Sequence, residues 1–222
     1  MATILNIETS GNTASICISG NGIAGKEVSN PARNDQAAWL HKAIHDLAGE
    51  ENLHLKQLDA IAVSIGPGSY TGLRIGLSTA KGICYALKLP LITIGTLTIM
   101  AASVDMSSCD LACPMMDARR MEVYTALYDK QLSEIISPTA MILHEDSFAD
   151  YLINNKIKFF GTGSAKFKSI LSHPHASFLE FEPSAAMMAG LAEKFFTNKE
   201  FADLAYVEPL YLKNFYSSSQ IK

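Results

Sequence analysis

Residues 59–87 read DAIAVSIGPGSYTGLRIGLSTAKGICYAL, and this stretch decides the fold. Asp59–Ile65 is an apolar run of β-forming residues, the mark of a buried strand. Gly66-Pro67-Gly68 then turns the chain tightly, because glycine tolerates positive φ and proline fixes its own. From Tyr70 the spacing becomes helical and reaches Lys88, with Ser69 or Thr71 placed to cap the free N–H groups of the first turn. Such a helix start carries partial positive charge and can hold an anion. Gly72, Gly76 and Ala80 fall four apart, so one ridge of the helix is stripped of bulk. Glycine inside a helix costs about 1 kcal/mol relative to alanine, and a ridge of it predicts close approach by another backbone. LPLITIG (Leu89–Gly95) follows as a second buried strand, so the unit is a parallel β–α–β with a right-handed crossover.

Upstream, TILNIET (Thr3–Thr9) and TASICIS (Thr13–Ser19) alternate as strands about a Ser10-Gly11-Asn12 turn. A third short strand runs from the Gly20-Asn21-Gly22 turn to about Ser29. Asn34 or Asp35 can cap a helix over roughly Gln36–Gly49. Its apolar face is Ala37, Leu40, Ile44 and Leu47, and Trp39 and Ala43 widen it beyond what packing on one sheet requires. His41 and His45 stand at i and i+4, a spacing that suits zinc. With no HExxH pattern and no third ligand in view, they read as a solvated or partner-facing pair. Thr96–Ser103 reads as a helix that closes the first half.

After a polar break at Val104–Asp110 the pattern restarts. LACPMM (Leu111–Met116) and MEVYTALYD (Met121–Asp129) are strands joined by Asp117-Ala118-Arg119-Arg120, a solvated turn or a basic tip suited to a carboxylate or phosphate. Leu132–Leu143 reads as a further strand, Glu145–Asn155 as a helix and Lys156–Phe167 as strand, Gly-Thr-Gly turn and helix start. Pro183–Asn198 reads as a helix with a core-facing stripe, and the aromatic tail packs back on the body. Both halves open with hairpins and then alternate strands with helices. Two facing α/β lobes follow, residues 1–103 and residues 104–222 with the returning tail.

At 222 residues, 48% hydrophobic and 18% charged, the chain has the length and composition to fold around a core. A net charge of −4 argues against a protein that grips nucleic acid alone. Cys17, Cys84, Cys109 and Cys113 lie in apolar surroundings without a second metal-binding pair, and read as buried thiols of a reducing compartment. The first ten residues lack the basic and apolar regions of a signal peptide, and no apolar run approaches the ~20 residues that span a bilayer. A soluble cytoplasmic protein is expected, with no membrane partner.

The chemistry in the sequence is sparse. Walker A, nucleophile-elbow and HExxH patterns are absent from it. Glu8, Thr9, Ser10 and Gly11 of the first hairpin bring a carboxylate and hydroxyls that could address a magnesium-bound phosphate, with Gly66, Pro67, Gly68 and Ser69 facing them across a cleft. No basic residue anchors either loop, and Ser69 has no evident base.

Taken together, ILNIETS (4–10), the 59–87 stretch, LPLITIGTL (89–97), DARRMEVYTALY (117–128), GTGSA (161–165) and PLYLK (209–213) closely resemble the TsaB family, also called YeaZ. The resemblance spans essentially the whole chain. It implies the two-lobed actin-like, sugar-kinase-like ATPase fold, with ribonuclease H-like lobes. It also implies a role in forming threonylcarbamoyladenosine beside the tRNA anticodon. In that family the transfer is made by the paralogue TsaD, with TsaE as an ATPase partner. TsaB is the non-catalytic companion that organises TsaD and forms homodimers alone, meeting tRNA only through the complex.

Thr98 and Ala102 stand where TsaD-like proteins carry their metal-binding histidines. Glu-Thr-Ser replaces the Asp-x-Gly-Thr loop of active ATPases. No metal site is therefore expected, and ATP or ADP with magnesium would be held weakly or at a subunit junction. The family pairs its first two helices, here about 35–49 and 70–88, with those of a partner. That implies an interface on Trp39, Leu40, Ala43, Ile44, Leu47, Tyr70, Gly72, Leu73, Gly76, Leu77 and Ala80. The alternative is an autonomous ATP-dependent kinase or ATPase, or a metallopeptidase-like enzyme.

Overall fold

The computed structural model describes residues 2–30 and 35–213. Two five-stranded sheets are built to one plan. In the first, Thr3–Glu8 (β1), Ala14–Gly20 (β2) and Ile23–Asn30 (β3) form an antiparallel meander. Ala60–Ser64 (β4) and Leu91–Ile94 (β5) add in parallel on the other side of β1, giving the order β3-β2-β1-β4-β5. In the second, Leu111–Asp117 (β6), Glu122–Tyr128 (β7) and Glu134–Ile142 (β8) repeat the meander. Ile157–Phe160 (β9) and Ala176–Leu179 (β10) repeat the parallel pair, in the order β10-β9-β6-β7-β8. The two orders are the same path run twice. The duplication expected from the sequence is present, and the architecture is the two-lobed actin-like α/β fold.

Period-2 alternation assigns each residue of the first sheet to a face. The register sets Leu5 opposite Ile18 and Ile61, and Ile7 opposite Ile16 and Val63. These six side chains form one apolar face, covered by Gln36–Glu50 (α1) and Tyr70–Leu87 (α2) through Leu40, Ile44, Leu47, Leu77 and Ala80. Ile4, Ala60, Ala62, Ile92 and Ile94 form the other face. It is covered by Met188 and by Leu191 and Ala192 of Ala189–Thr197 (α6). The C-terminal half thus returns more than a tail to the first lobe, since a whole helix packs on the first sheet.

Thr96–Ser103 (α3), as expected, is helical; Thr96, Leu97, Ile99, Met100 and Ala101 are buried, and Ala102 is exposed. Its Ile99 joins the first sheet's core, while Leu97, Met100 and Ala101 pack with Met116, Ala126, Tyr128 and Phe160 of the second lobe. A helix this apolar belongs inside a protein, and here it packs between the two lobes. The second lobe has its own core of Phe148, Phe159 and Phe167, packed edge to face.

Two expected elements differ, and one strand is new. The helix foreseen at Glu145–Asn155 shrinks to Ala149–Leu152 (α4), because turn bonds from Ser147 N–H to His144 O and from His144 N–H to Ser147 Oγ hold its start open. Pro183–Asn198 begins instead as a 3-10 turn, Ala185–Met188. There Ser15 Oγ and Glu27 capture the N–H groups of Ala185 and Ala186. Strand β10 was not foreseen, since two histidines and a proline precede it and only Phe178, stacked on Phe159, marks its inner face. Ser164–Lys168 (α5) forms where the Gly-Thr-Gly turn predicted it.

Candidate functional site

Ser69 is the N-cap of α2, its Oγ accepting from Gly72 N–H at 3.2 Å; Thr71 plays no part in the cap. The Gly66–Pro67 bond is cis. The close approach foretold by the glycine ridge is real, and the backbone that approaches belongs to this chain. A Cβ on Gly72 would lie 2.1 Å from Thr9 O, and one on Gly76 would lie 2.2 Å from Thr9 Oγ1. The first loop is laid directly on α2.

This changes the expected loop pair. Ser69 N–H donates to Ser10 O at 2.8 Å, and a Cβ on Gly68 would fall 2.5 Å from that same oxygen. The two loops touch rather than face each other across a gap. Glu8, Thr9, Ser10 and Pro67 are buried. Glu8 Oε1 accepts from Ser10 N–H, and Oε2 makes no hydrogen bond among the described residues. Burial pushes the Glu8 carboxyl up from the usual range, against the pull of the Ser10 and Ser64 hydroxyls and the N–H groups of Ser10 and Gly11.

The open cleft lies beyond this contact, with a volume of ≈ 1230 Å³. Ser10, Gly11, Asn12, Gly68, Ser69, Tyr70 and Thr71 line one wall. Met116–Arg119, Tyr124, Thr162, Glu180 and Phe181 line the other, and Glu182 and Pro183 join the two, Glu182 Oε1 accepting from Asn12 Nδ2 at 2.9 Å and Pro183 lying against Gly11. Of the expected loop residues, Glu8, Thr9, Gly66 and Pro67 are not on either wall. Asp117, Glu180 and Glu182 put three carboxylates there against the single guanidinium of Arg119. A magnesium–triphosphate held between the two loops does not fit this arrangement. The amide at Ser69 is already used, the Gly68 space is filled by Ser10 O, and the only loop carboxyl is sealed away, its pKa pushed up by burial.

The Asp117–Arg120 tip is built as a turn. Asp117 Oδ1 accepts from Lys166 Nζ at 2.7 Å and from Arg119 N–H at 2.5 Å, and Asp117 N–H donates to Thr162 Oγ1 at 3.1 Å. Partial burial raises the carboxyl, but Lys166 and the Arg119 N–H outweigh it and hold Asp117 below its usual range. Asp117 therefore pins the tip to α5. Arg119 faces the cleft, and Arg120 is exposed away from it.

The expected helix interface also changes. Leu40, Ala43, Ile44, Leu47, Leu73, Leu77 and Ala80 are buried in the first lobe's own core, and Gly72 and Gly76 lie against Thr9. They cannot meet a partner without unfolding the lobe. Trp39 and Tyr70 remain half-buried at the surface. The outward face of the pair carries Ala37, His41 and His45 from α1 with Thr71, Ser78 and Gly82 from α2. His45 Nδ1 lies 3.4 Å from Asp46 Oδ1. Among the described residues no three His, Cys, Asp or Glu side chains gather as a metal site. The cysteines are free and buried, and burial pushes the thiols of Cys17, Cys84 and Cys113 up to about 12, suppressing the thiolate. No helix of the described residues is long and apolar enough to cross a membrane.

The missed residues lie in the returning segment. Leu210 N–H donates to Ile65 O at 2.7 Å, behind the Gly66 turn. Arg74 Nε donates to Tyr211 Oη at 3.0 Å, and the Arg74 guanidinium sits 4.0 Å from the Tyr70 ring centroid. The aromatic composition of the tail was the available signal, but its partners were not readable.

The family model for TsaD, tRNA N6-adenosine threonylcarbamoyltransferase, matches residues 28–214. The tRNA threonylcarbamoyladenosine biosynthesis protein TsaB of Haemophilus influenzae is 27% identical over 96% of this chain and 94% of its own. A crystal structure of a Pseudomonas aeruginosa protein described as similar to peptidase YeaZ superposes with a TM-score of 0.82 at 25% identity, over 96% of this chain and all of that one. YeaZ from the same organism superposes with a TM-score of 0.77, again at 25% identity and with the same coverage. The chain belongs to the family that the TsaD model describes, and within it to the TsaB (YeaZ) branch.

Proposed function

We propose that this chain serves tRNA threonylcarbamoyladenosine biosynthesis in the cytoplasm as the non-catalytic subunit that binds and organises TsaD, with TsaE joining the assembly. Its relatives' names support the pathway. The observation that carries the non-catalytic role is the contact between Ser10 and the Gly68–Ser69 turn, which fills the place where two phosphate-facing loops would have to part. Fold alone does not make an ATPase. Any ATP or ADP is held at the junction with TsaD rather than within this chain's loop pair. The partner, or a second copy when the chain is alone, sits on the outward face of α1 and α2, where Ser78 and Gly82 keep the profile low.

Reconstitution tests this reading. With TsaD and TsaE, tRNA modification is expected to require this chain, while the isolated chain neither binds magnesium–ATP tightly in calorimetry nor turns it over. Modification at an undiminished rate without the chain, or turnover by the chain alone, overturns the proposal. The interface has its own test. Ser78→Glu is expected to lose co-purification with TsaD at an unchanged melting temperature. Leu73→Glu, whose leucine is 1% exposed, is expected to unfold the chain instead. Ser78→Glu that still binds TsaD would move the interface elsewhere.

A further inference from the structure

One side of the molecule is closed by α3 and its apolar contacts with both lobes. The opposite connection is made by the end of the described chain. Residues 201–211 run along the first lobe, anchored by Ala202 N–H to Leu91 O at 2.8 Å, Lys81 Nζ to Val207 O at 3.2 Å and Leu210 N–H to Ile65 O at 2.7 Å. Tyr211 then lies against Tyr70, ring centroids 5.3 Å apart, and accepts from Arg74. Two residues later Lys213 leaves the first lobe. Its ammonium pairs with Glu122 and stands 6.0 Å from the centroid of the Tyr124 ring. Tyr70 and Tyr124 are on opposite walls of the cleft.

We propose that residues 207–213 form a latch across one end of the interlobe cleft, setting how far the lobes open about α3. The N-terminal half of the latch is held by the Leu210 backbone hydrogen bond, the Lys81 ammonium and the half-buried Val207, so it stays with the first lobe. The crossing itself depends on one cation. Lys213 offers both an ion pair and a cation–π contact, each weak when partly exposed. A tie of that strength can release and reform, whereas the α3 core cannot. Tyr211 aims the crossing: stacked on Tyr70 and bonded to Arg74, it fixes the direction in which Lys213 leaves.

The test is an interlobe distance. Lys56 and Arg120 are exposed on opposite lobes, and the four native cysteines are buried, so nitroxides placed through Lys56→Cys and Arg120→Cys label those sites selectively. Pulsed electron paramagnetic resonance on the full chain is expected to give a longer, broader distance distribution in Tyr211→Ala/Lys213→Ala than in the labelled parent. Lys213→Met, which keeps a side chain of similar length and removes the charge, and with it both the ion pair and the cation–π contact, is expected to fall between the two because Tyr211 is intact. Lys81→Ala loses only the first-lobe anchor at Val207 and should match the parent. A double variant whose distribution superimposes on the parent overturns the latch. So does equal broadening in Lys81→Ala, which would make the effect a general loosening of the tail.

Discussion

Gly72→Ala is expected to destabilise the chain by about 3 kcal/mol, the upper end for overpacking a filled interior. At roughly 2–4 °C per kcal/mol for a chain of this size, that is a fall of about 10 °C in melting temperature. The new methyl would stand 2.1 Å from Thr9 O, and the obstacle is backbone at the end of β1, not a side chain that can swing aside. To make room, α2 must lift from the sheet it covers or the first loop must leave Ser69. Helix propensity works the other way, since alanine is favoured over glycine by up to ~1 kcal/mol, so the measured loss is a net value. Gly82→Ala in the same helix isolates that second term. Nothing lies within 4 Å of its Cβ position, so it should stabilise by a few tenths of a kcal/mol up to ~1. Gly76→Ala should fall between them, because its obstacle is the Thr9 hydroxyl, which can rotate. Thermal denaturation of the three variants reads the order directly. A Gly72→Ala protein as stable as the parent would mean that α2 and the first loop are not locked together.

The same comparison shows what a sequence can and cannot say here. The strand, turn and helix of residues 59–87 were legible because each is a local pattern, and the doubled lobe followed from that pattern recurring. A ridge of small residues says that something comes close; it does not say what. Here it is Thr9, more than sixty positions earlier, and the approach exists only after β1 pairs with β4. The stripe of Leu40, Ile44 and Leu47 was equally legible as a stripe, and equally silent about its target. The first sheet and α2 consume its apolar width, and that width had suggested a partner. Glu8 was the hardest case. A carboxylate at a strand end beside a hydroxyl and a glycine looks like part of an open loop. Whether it meets solvent depends on Ser64 and on closure of the Gly68 turn over Ser10, both of them long-range events.

That buried carboxyl makes the last prediction, and its sign follows from linkage. The Glu8 pKa is raised in the folded chain, chiefly by burial, so the native state holds a proton that the unfolded state releases. The stability it contributes is therefore complete below the unfolded value of about 4.5 and is lost as the pH climbs from there through the folded value. Each pH unit inside that window removes about 1.4 kcal/mol. Asp46, Asp105, Asp117 and Asp129 have lowered values, and their contribution is lost only as the pH falls below the ordinary carboxylate range, outside the window. Glu8→Gln replaces the acid with a neutral group of the same shape whose oxygen can accept from Ser10 N–H. Chemical denaturation from pH 4 to pH 8 is expected to show the parent losing stability across the rise and the variant nearly flat. The curves should meet at the acid end, with the variant the more stable at pH 8. Parallel curves would mean that Glu8 keeps its charge in the folded chain. The objection to magnesium–phosphate binding at this loop would then lose its electrostatic half, leaving only the steric closure by Ser10 and Gly68.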